Sequence, residues 1–575
     1  MTMHDLVIRG GTIVDGTGRA AFTGDLAIDG DRIASVGGKA GPGKREVDAT
    51  GLLVAPGWVD IHTHYDGQAM WDPELAPSSW HGATTVMFGN CGVGFAPVRP
   101  KDRECLIDLM EGVEDIPGIV LAEGLKWNWE TFPEYLDALE GVPRTIDIAA
   151  QMPHHPLRVY VMGERAVRRE LATPDDIEAM YRLTEEAMRA GAFGFTTSRT
   201  ESHRTTSGDL VPARNAAPEE LLGIGKALGK VGTGAFGMLN DFEDEAAEFA
   251  WMRQQAHDSG RPVWFLLTDR NSDPTRWRRL MDGVRQAQDE GAVVMAQVCG
   301  RAVGVILGLM TSLCPFTPKP TFAEIAKLPV AERLARLRDP AVKRAILGEP
   351  ISEKLLSVLP PLQRVLATEW SRIFLLGDPP DYEPETDRSI AALAARAGKN
   401  PAEYAYDYLI EGHGDRFLYF PVTNYASGDH EPIWEMLNDR HTLLGLGDGG
   451  AHVGVICDAS LPTFMLTHWV RDRTRGERLP LEMIVKRQTS STADFFGMHD
   501  RGRLEVGKRA DVNLIDFDAL RLHVPELAYD LPAGGKRLVQ RVDGYRMSVV
   551  AGTPIFENGV ATGAMPGKLV RSTRI

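Results

Sequence analysis

The stretch "GLLVAPGWVDIHTHYDGQ", residues 51–68, decides how the chain is read. An apolar run ends in His62 and His64, one residue apart. Alternate side chains of a strand share a face, so both imidazoles project together from the end of a buried strand. Two imidazoles so placed suit a zinc-like divalent ion. The plainer alternative is a hydrogen-bonded strand end. On spacing alone the two readings are even, and the strand context with the preceding "APGWVD" favours the metal.

On the N-terminal side, residues 5–55 alternate short β-type runs with Asp-Gly and Gly-Gly turns: "DLVIRGGTIVDG", "GDLAIDGDRIASVGG", "REVDATGLLVAPG". The far end repeats the pattern in "GRLEVGKRADVNLIDFD" and "YRMSVVAGTPIFENGVA". Neither end has helical periodicity. The expectation is one small β-domain built from residues 1–56 and 499–575.

The middle, residues 57–498, behaves differently. Eight apolar β-runs alternate with helical or irregular stretches: "WVDIHTH", "TTVMFGNC", "TIDIAAQMPHH", "GAFGFTTSRT", "GAFGMLND", "PVWFLLTD", "GAVVMAQVCGR" and "HTLLGLGDGGAH". This is the α/β pattern of a (β/α)8 barrel of TIM type. The seventh and eighth runs lie too far apart for a plain loop. Residues about 305–438 therefore read as a helical insertion.

Active sites of such barrels sit at the C-terminal ends of the strands. Here those ends carry His62 and His64, Asn90 and Cys91, His154 and His155, Ser198 and Arg199, Asn240 and Asp241, Thr268 and Asp269, Gln297 and Arg301, and Asp448 and His452. His62, His64, Cys91 and Asp448 together make a metal-ligand set, with Asp448 also able to act as a base. Cys91 alone would more often be a small buried apolar residue, and Asp448 could simply shape its Asp-Gly turn.

Composition bounds the partners. With 575 residues, 63 basic and 79 acidic, the chain has a net charge of −16, which argues against nucleic-acid or anionic-membrane binding. Five scattered cysteines are no disulfide framework and suit a reducing compartment. No secretory signal is visible, and the most apolar segment, "GAVVMAQVCGRAVGVILGLM", is broken by Arg301. The expectation is a soluble cytoplasmic protein acting on a small molecule. A homo-oligomer is compatible with the sequence.

The ordered pieces "VIRGGTIVDGTG", "VAPGWVDIHTHYD", "GATTVMFGNCGVGFAPV", "GDGGAHVG", "MLTHWVRDR" and "RGRLEVGKRADVNLIDFD" span nearly the whole chain. They resemble the amidohydrolase superfamily, and within it the N-acyl-D-amino-acid deacylase (D-aminoacylase) branch. The resemblance implies a metal-bearing barrel with a small β-sandwich from the two termini. It implies that His62 and His64 are the first-strand metal pair, that Cys91 is the branch's cysteine ligand, and that Asp448 is the proton shuttle. "MPHHPLR" resembles a further family segment, with His154 at its histidine.

Two ligands that the family would supply are missing. The fifth and sixth strands, "AFGMLND" and "VWFLLTD", end without histidine. Asp241 or Asp269 could substitute as oxygen ligands, or each could cap a helix. The expected content is therefore one divalent ion per chain, zinc by its nitrogen and sulfur ligands, rather than two. The fourth-strand loop "TTSRTESHRTTSGD" offers Arg199, His203 and Arg204, with His154 and His155 nearby, as substrate-binding groups; arginines there could grip a carboxylate bidentately. A solvated polar loop is the alternative.

The function so implied is hydrolysis of an amide C–N bond in an N-acyl amino acid, the D configuration resting on the resemblance alone. Lactone or cyclic-amide hydrolysis is a related outcome. A non-hydrolytic binding or scaffold relative with a decayed metal site is the alternative of another class.

Overall fold

The computed structural model describes residues 3–351 and 361–574. The stretch 51–68 connects two bodies. Leu53–Pro56 is a strand of a terminal sheet, and after Gly57 the same run continues as Trp58–Asp60, the first strand of the barrel. Every residue from Leu53 to Val59 is buried, which is why this run has no polar alternation.

The barrel strands follow in chain order: Trp58–Asp60, Ala83–Phe88, Asp147–Ala150 continuing as Met152–Pro153, Gly194–Arg199, Ala235–Asn240, Val263–Leu267, Val294–Val298 and Thr442–Leu444. Neighbours pair in parallel in two runs, the first three strands and then Met152–Pro153 through the eighth. Gln151 interrupts the third strand, yet its N–H still reaches Phe88 O at 2.9 Å. Just beyond the strand ends, His64 N–H donates to Gly449 O (2.8 Å) and Asp448 N–H to His62 O (3.0 Å). The first and eighth strand ends are thereby tied together. Helices such as Pro174–Ala190 return the chain; that one starts in a Thr173/Asp176 capping box and ends at left-handed Gly191.

The strands of both ends form one continuous nine-stranded sheet, so the layered sandwich of the sequence reading is not how its hydrogen bonds run. Leu53–Pro56 lies between His4–Ile13 and Val512–Ile515 and joins the two ends. The sheet buries its own apolar cluster, including Leu6, Ile8, Leu26, Ile28, Val512 and Leu514. The final residues leave this sheet. Val570 N–H donates to Ile148 O, and Ile148 N–H to Lys568 O, on the third barrel strand.

The insertion between the seventh and eighth strands needs a correction. It is not purely helical. Val303–Leu307, Phe374–Leu375 and Leu418–Thr423 form a three-stranded antiparallel sheet, with the last of these in the middle. Helices including Val330–Leu337 and Pro401–Leu409 pack around it, over a cluster with Leu307, Phe316, Ile346, Tyr406 and Phe420. The apolar stretch after Gly291 is two strands broken at residues 299–302, one in the barrel and one in the insertion. Among the described residues no helix is long and apolar enough to cross a membrane.

Candidate metal centre

At the end of the first strand, His62 and His64 are both buried, with ring centroids 5.4 Å apart. His62 Nδ1 lies 2.6 Å from Gln297 Oε1 at the end of the seventh strand. A side-chain oxygen there fixes the proton on Nδ1 and leaves the Nε2 lone pair free. That Nε2 lies 3.5 Å from Cys91 Sγ and 3.5 Å from Asp448 Oδ1. His64 Nε2 lies 3.7 Å from the same Asp448 oxygen. Donor atoms of His62, His64 and Cys91 all fall within 4.8 Å of one another.

Tight backbone turns aim these groups. Cys91 and Asp448 both adopt positive φ, 54° and 43°. Gly89 before the cysteine is required sterically as well: a Cβ there would sit 2.2 Å from Gln151 O. Cys91 and Asp448 thus project inward from turns.

The electrostatics are one-sided. Burial pushes the Cys91 thiol well above its ordinary range, and Glu114, Asp448 and Asp66 add to the effect. Burial, then Asp448 and Asp66, raises the Glu114 carboxyl far above the usual carboxylate range. Burial, then Asp458 and Asp60, does the same for Asp448. Among the described residues, no lysine or arginine acts on these three groups. Burial also lowers His62 to about 4 and holds His64 well below the ordinary imidazole value, so both rings are neutral near pH 7. Asp448 Oδ1, Glu114 Oε1, Asp66 Oδ2 and His64 Nδ1 are buried with no hydrogen-bond partner among the described residues. Neutral imidazoles, a thiol and unpartnered acids around one point fit a divalent cation, which would supply the missing positive charge.

The other sequence candidates fall elsewhere. Asp241 accepts from Thr200 Oγ1 (2.8 Å) and Glu201 N–H (2.7 Å) and pairs with Arg270. Asp269 accepts from Ala426 N–H at 3.1 Å and is bonded through its main chain to Asn424. Both tie loops together, and neither joins the His62–His64–Cys91 cluster. His154 is held between Thr197 Oγ1 (2.8 Å) and Glu220 Oε1 (2.9 Å). Arg199 pairs with Glu248 at 3.0 Å. Arg204 stays within its own half-exposed loop, on Glu201 Oε2 (3.1 Å) and Gly208 O (2.9 Å).

His155 and His203 belong to one chain of hydrogen bonds. Ala213 N–H donates to His155 Nδ1 (3.1 Å), so His155 Nε2 carries the proton toward Ser198 Oγ (3.3 Å). The Ser198 hydroxyl is then left to donate to His203 Nδ1 at 2.9 Å. This order leaves the His203 proton on Nε2. Burial, then the charge of His452, depresses the His203 ring to about 3, with His62 also acting on it.

Two contributors were not singled out by sequence reasoning, Glu114 and Asp66. Glu114 had a usable signal. Leu106, Met110 and Glu114 recur every four residues on the helix Arg103–Glu114, so an acid continues an apolar stripe.

The model of the Amidohydrolase family matches residues 45–556. The chain is 26% identical to D-aminoacylase of Alcaligenes xylosoxydans xylosoxydans over 577 residues, covering 99% of this chain and 98% of that protein. It is 27% identical over 572 residues to N-acyl-D-glutamate deacylase of the same organism, covering 99% and 96%. A crystal structure of D-aminoacylase superposes with a TM-score of 0.65 at 22% identity, covering 99% of this chain and 100% of that one. N-acyl-D-glutamate deacylase of Bordetella bronchiseptica, in complex with zinc and a phosphonate inhibitor, gives 0.63 at 21% over the same shares. These structural likenesses speak for the fold.

Proposed function

Because the chain belongs to the amidohydrolase family, we propose that it is a metal-dependent hydrolase of the amide C–N bond in an N-acyl amino acid, of the D series by likeness to its relatives. The observation that carries this reading is the convergence of His62 Nε2, His64 Nε2 and Cys91 Sγ beside Asp448 Oδ1 in a buried site on which, among the described residues, no cationic side chain acts.

His62, His64, Cys91 and Asp448 would hold the ion, one per chain, zinc by its donor set. Bound there, such an ion lowers the pKa of water and polarises a carbonyl oxygen. Asp448 accepts the proton of the attacking water through Oδ1 and returns it to the leaving nitrogen. Gln297 holds His62 in the tautomer a ligand needs. His203, with its proton on Nε2, offers a neutral donor to the substrate from the fourth-strand loop. His155 sets His203 through Ser198 and His154 braces the loop's base, while a carboxylate on the substrate would have to draw Arg204 from Glu201 or Arg199 from Glu248. The division of the chain into residues 1–56 with 499–575, and 57–498, belongs to the same proposal.

The test is elemental analysis of purified protein together with N-acyl-D- and N-acyl-L-amino acids as substrates. The expected result is one tightly held ion and cleavage of the D series. Two tightly held ions would overturn the stoichiometry. A protein without metal, or one that cleaves neither series, would overturn the hydrolase reading.

A further inference from the structure

Glu114 ends the helix Arg103–Glu114, which follows the second barrel strand. Its side chain is 2% exposed and faces two histidines. Oε1 lies 3.4 Å from His64 Nδ1, and Oε2 lies 3.4 Å from His452 Nε2. The main chain repeats the second grip, because His452 N–H donates to the Glu114 carbonyl. Among the described residues neither His64 Nδ1 nor Glu114 Oε1 has a hydrogen-bond partner, so each is left with the other as its nearest one to gain.

The two first-strand histidines are handled alike. His62 turns Nδ1 outward to the oxygen of Gln297 and Nε2 inward to Cys91 and Asp448. His64 turns Nδ1 outward to Glu114 and Nε2 inward to Asp448. An imidazole that donates through one nitrogen presents a lone pair at the other. We propose that Glu114 is a positioning residue of this metal centre: with an ion bound, whose charge favours the ionised acid, its carboxylate holds the Nδ1 proton of His64, aims Nε2 at the ion, and clasps the loop after the eighth strand through His452. This rests on the metal reading above.

A movement of about 0.5 Å brings Glu114 Oε1 and His64 Nδ1 into the ordinary N–H···O range of about 2.7–3.2 Å. A carboxylate in this position also raises the basicity of the ligand nitrogen, which the neutral amide beside His62 does less. Glu114 thereby contributes to a centre whose fifth and sixth strands end without histidine. It does so from a helix rather than from a barrel strand.

The test measures zinc affinity by chelator competition, and the thermal transition of the metal-free protein, for wild type, Glu114→Gln and Glu114→Asp. Removing such a partner typically costs about ten- to a hundredfold in metal affinity. E114Q is expected to lose that much while its metal-free form melts no lower than wild type, because an amide of the same shape buries no charge. E114D keeps the carboxylate and is expected to bind more tightly than E114Q. Unchanged affinity in E114Q overturns the inference and leaves the metal reading standing. So does a loss accompanied by a lower metal-free transition, which marks packing alone, or an E114D that binds no better than E114Q. A wild-type protein that binds no zinc overturns both.

Discussion

Asp448 is the residue on which the chemistry turns. Its φ of 43° and the flanking glycines bring Oδ1 within reach of Nε2 of both first-strand histidines. Asp448→Asn keeps the shape and removes the basic oxygen. General acid–base catalysis contributes about a hundred- to ten-thousand-fold. The variant is expected to lose kcat on that scale with its thermal transition retained; near-native kcat in folded, metal-loaded protein would eliminate Asp448 as the shuttle. Cys91 makes a separate prediction. Its thiol is held well above the ordinary range by burial first and by Glu114, Asp448 and Asp66 next, so it is protonated in the metal-free protein at pH 7. Ligation requires the thiolate, so zinc binding should release at least one proton. Calorimetry in buffers of different ionisation enthalpy reads that number, which should fall in Cys91→Ala. The residue pairs that sequence could name were those on strand ends. Glu114 interrupts an apolar stripe, which marks it as unusual, but its partners His64 and His452 lie in distant segments.

At the scale of elements, the insertion is pinned to the barrel by one buried cluster. Glu383 accepts from His430 N–H (2.7 Å) and from Arg473 through Nε and Nη2 (3.2 Å each), and lies 2.9 Å from His468 Nε2. His468 and Arg473 follow the helix Leu461–Phe464, in and just after the stretch Met465–Asp472, whose helix is wider than α. His430 Nε2 accepts from Ala302 N–H (3.3 Å), so its proton sits on Nδ1. That leaves the cluster a structural pin rather than a second metal centre. Burial pushes the Glu383 carboxyl up, but the bonds from His468 and Arg473 outweigh it and hold the group well below the usual range. A depressed pKa gives stability that is present above the ordinary carboxylate range and lost as pH falls through the folded value. Glu383→Gln leaves Arg473 buried with less compensation, a loss of about 3–5 kcal/mol for a broken buried pair. Denaturant unfolding at pH 7 should register the deficit, and the gap from wild type should narrow below about pH 4. An equal deficit at both pH values would show that the charge is immaterial.

Across the whole molecule, Asp147 holds the terminal segment to the barrel. On the third barrel strand it accepts from Arg501 Nη1 (2.7 Å), Arg509 Nη2 (2.9 Å) and Lys568 N–H (2.8 Å). Asp147→Asn leaves two buried arginines short of a partner. Breaking a buried pair costs about 3–5 kcal/mol, and the low end applies because Asp500 and Asp511 still accompany the arginines. The thermal transition should fall while kcat of the folded fraction stays near wild type. A fall in kcat without a fall in stability would mean that the terminal segment acts on the site.

The sequence by itself marked the apolar β-runs of the middle of the chain and the pairing of His62 with His64. Both are local: strand periodicity and one-residue spacing are properties of consecutive residues. It also placed Cys91 and Asp448 at strand ends, where glycines permit the turns. Only the tertiary structure decided which groups meet. Gln297 reaches His62 across 235 positions, and Glu114 reaches His452 from the end of a distant helix. It also made one sheet of both chain ends and put three strands into the insertion, because strand partners are chosen by packing between distant segments and leave no trace in local composition.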